Sequence, residues 1–254
     1  MERHQGPALT VLRRSLTAAF DFLLPRACAV CHRLADDGDT GMVCGRCWSR
    51  VSWLQAPRCE RCGHPQLRQK CTWCVLLPPY VRAVRSVCWM HRGTGAELVH
   101  ALKYGGWHAI GTSLAERMSR LTWPLDVMEE RVALVPVPLS ESRLRERGYN
   151  QSERMASALA SRWKIPVWSD VLVRTRATQT QTRLTPEERL ANVSSAFRVP
   201  ASAVRALRGA HLVLVDDVVT TAATLNACAA ALCAGGARIV SYVTFGRAPA
   251  GGDR

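Results

Sequence analysis

The stretch that decides the fold is residues 211–225, His-Leu-Val-Leu-Val-Asp-Asp-Val-Val-Thr-Thr-Ala-Ala-Thr-Leu. It begins with aliphatic residues in a run too short to cross a membrane, which predicts a buried strand. Two adjacent carboxylates, Asp216 and Asp217, close that strand. A small, hydroxyl-rich turn follows, and an Ala/Leu/Cys pattern then predicts a helix over about 224–234, ended by a pair of glycines.

A strand, a turn and a helix in this order predict a ligand site at the carboxyl end of a parallel sheet. The turn offers backbone N–H groups, threonine hydroxyls and a helix N-terminus, which suit a phosphate. Carboxylates accept hydrogen bonds from sugar hydroxyls, directly or around a hard divalent cation. The alternative is an ordinary turn without a ligand, although two partly buried carboxylates without a partner would be costly.

The stretch resembles the phosphoribosyl pyrophosphate (PRPP) motif of type I phosphoribosyltransferases. The resemblance implies that Asp216 and Asp217 hold the ribose hydroxyls and that residues 220–224 cradle the 5-phosphate. The PRPP-binding residues would be Val218, Val219, Thr220, Thr221, Ala222, Ala223 and Thr224. The family usually has glycine where this chain has Ala222, so the turn must adopt a conformation that a Cβ tolerates or bind phosphate less tightly.

The composition predicts a large domain with a small one beside it. The 254 residues carry 34 lysines and arginines against 20 acidic residues, a net charge of +14, and lysine occurs only at positions 70, 103 and 164. A basic surface attracts polyanions such as nucleic acid or pyrophosphate, although an excess of arginine can also reflect genome composition. No segment approaches the roughly 18 apolar residues of a transmembrane helix. Residues 1–26 predict a short amphipathic helix rather than a signal peptide, and hence a cytoplasmic chain with reduced cysteines.

Eight of the eleven cysteines form four Cys-x-x-Cys pairs, which predict two zinc ions, each held by four thiolates. The pairs are Cys28/Cys31, Cys44/Cys47, Cys59/Cys62 and Cys71/Cys74. Sequential ligation is the simplest arrangement, and a crossed one stays open. Redox dithiols or extracellular disulfides do not explain four regular pairs. Such closed sites leave no position for water, so the zinc is structural and stabilises a segment with few aliphatic residues.

Basic and aromatic residues interleave through the same segment, and two interpretations of them stay open. They are Arg46, Trp48, Arg50, Trp53, Arg58, Arg61, Arg68, Lys70 and Trp73. As a surface they would serve single-stranded nucleic acid, with bases stacking on indoles and phosphates meeting guanidinium groups. Alternatively, the tryptophans form a small core beneath a solvated basic face.

A stiff Leu-Pro-Pro linker at 77–79 predicts the boundary between a zinc module at 27–77 and a larger domain at 80–254. In the larger domain the patterns predict strands over 81–90, 132–139 and 238–245 around the central strand. Helices are predicted over 97–103, 108–121 and 201–208. Two prolines end the strand over 132–139 and predict a rigid loop after it.

Two further segments are candidates for the site. Residues 140–151 carry three arginines at alternate positions before Gly148, which suit a pyrophosphate. Their alternation with Glu141 and Glu146 by itself favours a solvated turn, whereas the position at the end of a second strand favours the anion site. Residues 174–184 are polar and without period, which predicts a mobile loop; a capped helix follows from Thr185. A basic loop beside an anion site suits a lid.

Several motifs together resemble the ComF/GntX group, which includes a competence protein implicated in taking up single-stranded DNA. They are Val-Pro-Val-Pro-Leu at 135–139, Arg-Leu-Arg-Glu-Arg-Gly-Tyr-Asn-Gln at 143–151, Ala-Leu-Lys-Tyr-Gly-Gly at 101–106 and the Cys-x-x-Cys module. The resemblance covers nearly the whole chain. It implies single-stranded DNA and the competence DNA-uptake machinery at the inner face of the membrane as partners.

The sequence thus predicts an α/β phosphoribosyltransferase fold, a mostly parallel sheet flanked by helices, with an N-terminal double zinc ribbon. The resemblance implies binding of Mg-PRPP and ribosyl transfer with release of pyrophosphate. Asp216 and Asp217 would stabilise the sugar, and Arg145 and Arg147, with Lys103, would neutralise the leaving pyrophosphate. Some purine enzymes of this fold have an Asp where this chain has Thr220, so the acceptor stays open. The alternative is a non-catalytic binding or scaffold protein with a nucleic-acid-binding zinc module.

Overall fold

The computed structural model describes residues 27–34, 41–65, 71–91, 93–104, 107, 109–175 and 196–249. The helix predicted within 1–26, the two glycines at 105–106 and the lid and helix predicted over 176–195 lie outside these ranges. Within the described part of the chain, no helix is both long and apolar enough to cross a membrane.

The centre of the fold is a four-stranded parallel sheet. Its strands are β1 (Val81–Trp89), β2 (Arg131–Pro136), β5 (His211–Val219) and β6 (Ile239–Arg247), in the order β1-β6-β5-β2. Strands β3 (Val173–Arg174) and β4 (Phe197–Arg198) form a separate antiparallel pair. The prediction of a mostly parallel α/β sheet is confirmed, and the predicted strands lie within two or three residues of the observed ones.

Eight α-helices are described around the sheet and in the cysteine module. They are α1 (Gly45–Ser49), α2 (Thr94–Tyr104), α3 (Ile110–Ser119), α4 (Leu125–Glu130), α5 (Glu141–Arg147), α6 (Gln151–Trp163), α7 (Val204–Leu207) and α8 (Ala223–Ala234). Two short 3-10 helices cover Thr72–Leu76 and Ala201–Ala203.

Helix α5 corrects the sequence-based prediction, which made residues 140–151 a loop. The Ser140 hydroxyl accepts a hydrogen bond from the Arg143 N–H at the start of the helix. Gly148 ends it in the left-handed region, at φ 75°. A capping serine and a terminal glycine are standard helix signals, so the two prolines end the strand without excluding a helix immediately afterwards.

The sheet is covered on both faces. Cover on both faces is required because successive apolar side chains of β5 point to opposite faces of the sheet. Val213 and Val215 pack in a core with α2, α3, α6 and the first cysteine cluster, which is Cys28, Cys31, Cys44 and Cys47. Leu212 and Leu214 pack in the opposite core with α8 and the second cysteine cluster, which is Cys59, Cys62, Cys71 and Cys74. The two cysteine clusters therefore lie against opposite faces of one sheet.

Candidate functional site

The acid pair lies inside β5 and not at its end, because the strand continues through Val218 and Val219. Those two residues pair in register with Gly246 and Arg247 of β6. The turn that follows the strand is therefore short, residues 220–222, before α8 begins at Ala223. Val218 and Val219, which were predicted among the PRPP-binding residues, are thus part of the sheet, and Ala223 and Thr224, predicted in the phosphate cradle, lie in the first turn of α8.

Asp216 is held by hydrogen bonds from two directions. The Ser152 hydroxyl donates to Asp216 Oδ1 over 3.0 Å, and the Asp217 backbone N–H donates to the same oxygen over 2.9 Å. Ser152 lies in the first turn of α6, where the Asn150 side chain accepts a hydrogen bond from its N–H. The end of this helix thus aligns a hydroxyl with the acid pair, a contribution that sequence reasoning missed.

Asp217 is 5% exposed, and its carboxylate forms an ion pair with the ammonium group of Lys103, near the end of α2. Sequence reasoning predicted Lys103 for the site but assigned it to the leaving pyrophosphate. The structure brings it to the carboxylates, where its charge compensates one of two neighbouring negative charges.

The Asp216 carboxyl holds its proton more tightly than a free carboxyl does. Burial, and then repulsion from Asp217, raise the pKa of Asp216 to about 7, against the lowering effects of the Asp217 backbone N–H, Lys103 and Ser152. Near pH 7 the Asp216 carboxyl is therefore about half protonated. A cation that binds this carboxylate must displace that proton.

The short turn has the backbone conformation that suits a glycine. Ala222, immediately before α8, lies in the left-handed region at φ 60° and is 3% exposed. The resemblance noted from the sequence implies glycine at this position, and here an alanine holds the backbone conformation that glycine favours. A left-handed alanine costs about 1–2 kcal/mol. Packing of its methyl group in the core below the turn offsets part of that cost.

The arginines of α5 divide between two faces of the helix. Arg143 and Arg147, four residues apart, each donate to the Tyr104 hydroxyl over 3.3 Å, and the Arg147 guanidinium lies 5.2 Å from the centre of the Tyr104 ring. These contacts lower the pKa of Tyr104, with the Arg147 hydrogen bond as the largest cause. Arg145 lies on another face, 3.5 Å from Glu141, with its side chain 74% exposed. The structure therefore pairs Arg147 with Arg143, where sequence reasoning paired it with Arg145.

Arg174 is a further cation near the acid pair, and it was predicted only as the start of a loop. Its guanidinium lies 5.3 Å from the centre of the Phe197 ring. Burial lowers the pKa of Arg174, while the nearby charge of Asp216 raises it. A two-residue strand pair across more than twenty residues leaves no periodic signal, so the sequence alone could not place this arginine.

Two clusters of four cysteines have the spacing that zinc requires, and both are sequential. Cys28, Cys31, Cys44 and Cys47 form the first zinc site, and Cys59, Cys62, Cys71 and Cys74 form the second zinc site. Within each site all sulfur atoms lie within 4.8 Å of one another, and individual pairs lie 3.8, 3.5 and 3.2 Å apart. Zn–S bonds of about 2.3 Å place tetrahedral sulfurs about 3.8 Å apart, so both donor sets fit the ion.

The thiols of the first zinc site differ in their pKa values. Burial raises the pKa of Cys28, but backbone N–H groups of Cys31 and Cys44 lower it to about 6. Burial and hydrogen bonds from other cysteines raise the pKa of Cys47. Four thiolates so close together repel one another, and a bound divalent cation removes that penalty.

Two tryptophans of the zinc module are buried against the sheet. Trp48 is 9% exposed and Trp73 is 3% exposed. Trp48 lies in the core on one face, where it stacks on Trp53 at 6.0 Å and meets the edge of Phe245 of β6 at 6.3 Å, and Trp73 lies in the core on the other face. Of the two open interpretations, burial favours a core role over a stacking surface, because an indole buried to this degree offers no face to a base. The residues join two cores, however, and not one small core.

The linker between the predicted domains does not separate them. The Leu54 N–H donates to the Val87 carbonyl over 3.1 Å, and the Trp89 N–H donates to the Ser52 carbonyl over 2.8 Å. Arg61 donates to the carbonyls of Leu77, Pro78 and Val81. The zinc module is therefore hydrogen-bonded along β1.

Comparisons with known proteins agree with this architecture. Residues 19–77 match the model of the double zinc ribbon domain, and residues 148–254 match that of the phosphoribosyl transferase domain. The chain is 32% identical over 226 residues to the DNA utilization protein YhgH of Escherichia coli, covering 85% of this chain and 95% of that protein. It is 30% identical to competence protein F of Haemophilus influenzae and 28% identical to competence protein ComFC of Bacillus subtilis, covering 72% of this chain and 75% of each relative.

Fold and site together define a phosphoribosyltransferase-fold protein with a double zinc ribbon. The identities with relatives of nearly full length add the particular group: this chain belongs to the ComF/GntX family of competence and DNA utilization proteins. The resemblance read from the sequence motifs is confirmed.

Proposed function

We propose that the chain binds Mg-PRPP at the carboxyl edge of β5. The observation that supports this most strongly is the order of groups along the chain: an acid pair of which Asp217 is buried and Asp216 half-buried, a short turn and the N-terminus of the twelve-residue helix α8. Asp216 and Asp217 would hold the ribose hydroxyls and, with the diphosphate oxygens, Mg²⁺. Carboxylates and phosphates are the ligands this cation prefers. Bound there, Mg²⁺ supplies charge neutralisation for the diphosphate.

The 5-phosphate would lie on the turn at 220–222. Backbone N–H groups and the dipole at the start of α8 attract an anion, and the hydroxyls of Thr220 and Thr221 add donors. Arg143 and Arg147, with Lys103 nearby on α2, supply positive charge for the pyrophosphate.

The reaction would be ribosyl transfer. The bond from the anomeric carbon to pyrophosphate breaks, pyrophosphate leaves with the electron pair, and an acceptor nucleophile forms the new bond to that carbon. The transition state carries positive charge on the sugar, so the carboxylates stabilise it electrostatically while positioning supplies much of the rest. Thr220 cannot act as a general base, which favours an acceptor that needs none or that recruits one elsewhere.

The experiment is calorimetry of the zinc-loaded protein with Mg-PRPP, followed by a screen for pyrophosphate release with candidate acceptors. The double variant Asp216→Asn/Asp217→Asn removes the charges and changes volume little. We expect it to weaken binding by at least about 2 kcal/mol, roughly 30-fold. Asp170→Asn, at an exposed carboxylate, is the matched control. Unchanged affinity in the double variant would refute the site.

A second candidate function is phosphate-ligand sensing without turnover. Thr220 favours it, because the turn then has no carboxylate that could act as a general base toward an acceptor. Binding of Mg-PRPP without release of pyrophosphate from any acceptor would support this function over catalysis.

We further propose that the zinc module contacts single-stranded DNA through arginines rather than tryptophans, within a cytoplasmic, reducing setting that suits eleven cysteines without a disulfide. Arg33, Arg46 and Arg50 are exposed and line a cavity of about 310 Å³ beside the first zinc site. Two relatives are named for competence and another for DNA utilization. Docking to the competence uptake machinery at the membrane belongs to the same proposal.

Salt dependence tests the DNA proposal. Arg46→Ala/Arg50→Ala should reduce the slope of log affinity against log salt for a single strand by about 1.4, that is, two phosphate contacts. Arg208→Ala, at an exposed arginine outside the module, is the control. An unchanged slope, with zinc content retained, would exclude these two contacts.

A further inference from the structure

The second zinc site packs in the same core as the turn that follows β5. Trp73, which lies between Cys71 and Cys74, shares this core with Val219, Ala222 and Leu225. The first zinc site packs against the opposite face of the sheet. The second zinc site thus packs on the same face of the sheet as the proposed phosphate turn, and the first zinc site, on the other face, is a natural control.

Arg247 joins this zinc site to the strand that carries the turn. It is the last residue of β6, it is fully buried, and it pairs in register with Val219, the last residue of β5. Its guanidinium lies 4.2 Å from the centre of the Trp73 ring and donates a hydrogen bond to the carbonyl of Cys62, a zinc ligand. The following residue, Ala248, donates its N–H to the Val219 carbonyl over 2.8 Å.

Asn226 makes a second connection on the other side of the turn. It lies in the first turn of α8, and its backbone N–H donates to the Ala222 carbonyl over 2.8 Å. Its side-chain amide donates to the carbonyl of Leu76, two residues beyond Cys74, over 2.7 Å. The Tyr242 hydroxyl donates to the Asn226 amide oxygen over 3.0 Å, which fixes the orientation of that amide.

We propose that the second zinc site positions the turn at 220–222, with Arg247 and Asn226 as positioning residues, so that zinc occupancy and phosphate binding are coupled. The two knuckles of the site hold the turn from both sides: Cys62 through Arg247 at the end of the strand, and the Cys71–Cys74 knuckle through Asn226 at the start of the helix. Loss of zinc frees both carbonyl anchors and the indole below the turn. The phosphate part of the coupling rests on the proposed function.

The first test removes one knuckle at a time and measures hydrogen exchange of the full-length chain. Cys71→Ser/Cys74→Ser removes the second zinc site, and Cys28→Ser/Cys31→Ser is the matched control; metal analysis verifies one remaining zinc in each. We expect exchange in peptides covering 219–226 to accelerate at least tenfold in the first variant and to change less than twofold in the control. Equal exchange in both variants would overturn the proposal.

Asn226→Ala keeps the test decisive if the first variant fails to fold. It leaves all eight cysteines in place, so zinc content should stay at two. Exchange in 219–226 should still accelerate, because the connection to Leu76 is lost. If Asn226→Ala leaves exchange in this turn unchanged, the positioning role is refuted.

Reciprocity supplies a readout that a merely structural role would not move, since coupled sites must affect each other equally. Ribose 5-phosphate should tighten binding of one of the two zinc ions in the wild type by 5- to 150-fold for a coupling of usual size, as measured by equilibrium competition with a chelator. Asn226→Ala should reduce this tightening. Calorimetry with ribose 5-phosphate separates the possible failures. No binding to the wild type refutes the proposed phosphate site, while binding that leaves the zinc affinity unchanged refutes the coupling.

Discussion

The ion pair between Lys103 and Asp217 gives the sharpest test of the site, through the change Lys103→Met. Methionine keeps the length of the side chain and its apolar contacts on α2 but removes the charge. Asp217 then lies beside Asp216 with no ammonium partner, and its side chain is 8% exposed.

The magnitude follows from burial. Removing one partner of a buried ion pair costs about 3–5 kcal/mol, because the other charge stays desolvated. The Lys103 side chain is 23% exposed, so water already screens part of the interaction and we expect a loss of about 2–3 kcal/mol at pH 7.5. The loss should shrink towards pH 6, because without the ammonium group one carboxyl takes up a proton more readily and relieves the repulsion.

The assay is urea unfolding with zinc present, monitored by tryptophan fluorescence. The control is the double variant Lys103→Met/Asp217→Asn, which removes both charges and should recover most of the lost stability. A single variant within 0.5 kcal/mol of the wild type, or a double variant no more stable than the single one, would refute the reasoning.

Three other perturbations have expected outcomes. Because the pKa of Asp216 is raised, the stability that this carboxyl contributes is fully present below about pH 4 and is lost as pH rises through about 7. The free energy of unfolding of Asp216→Asn, relative to that of the wild type, should therefore increase by about 1–2 kcal/mol between pH 5.5 and 8 in urea unfolding. A difference that stays constant with pH would contradict the raised pKa. Gly63→Ala should destabilise the chain by about 1–3 kcal/mol in the same assay, because Gly63 has φ 65° and a Cβ there collides with the Val84 carbonyl; wild-type stability would show that the backbone yields freely. Ala222→Gly should tighten Mg-PRPP binding in calorimetry and change the stability of the fold little. Stability changes little because relief of about 1–2 kcal/mol of backbone strain is offset by the lost methyl packing and by the greater freedom of the unfolded chain. Weaker binding would show that the Cβ helps to hold the turn.

Metal analysis of the purified chain should give about two zinc ions per protein, one for each four-thiolate site. Free titration of all thiols in native buffer, with no metal found, would contradict the zinc module.

The sequence by itself determined the elements whose signals are local. Regular Cys-x-x-Cys spacing predicted the zinc sites because two thiolates on one tight bend already hold half of a tetrahedral site. The aliphatic run before Asp216 and the Ala/Leu/Cys pattern after it predicted the central strand and helix because burial follows the period of each structure. The motif resemblance added the family and the roles it implies.

Only the tertiary structure decided which of these local elements meet. Whether Trp73 faces solvent or the sheet depends on how the zinc module docks along β1, and composition carries no record of docking. Arg143 rather than Arg145 joins Arg147 because residues 141–147 form a helix, in which side chains four apart share a face and side chains two apart do not. Ser152 contacts Asp216 across 64 residues of chain, and Asn226 contacts Leu76 across 150 residues. Contacts over such separations arise from the packing of the whole sheet, and no periodicity in the sequence encodes them.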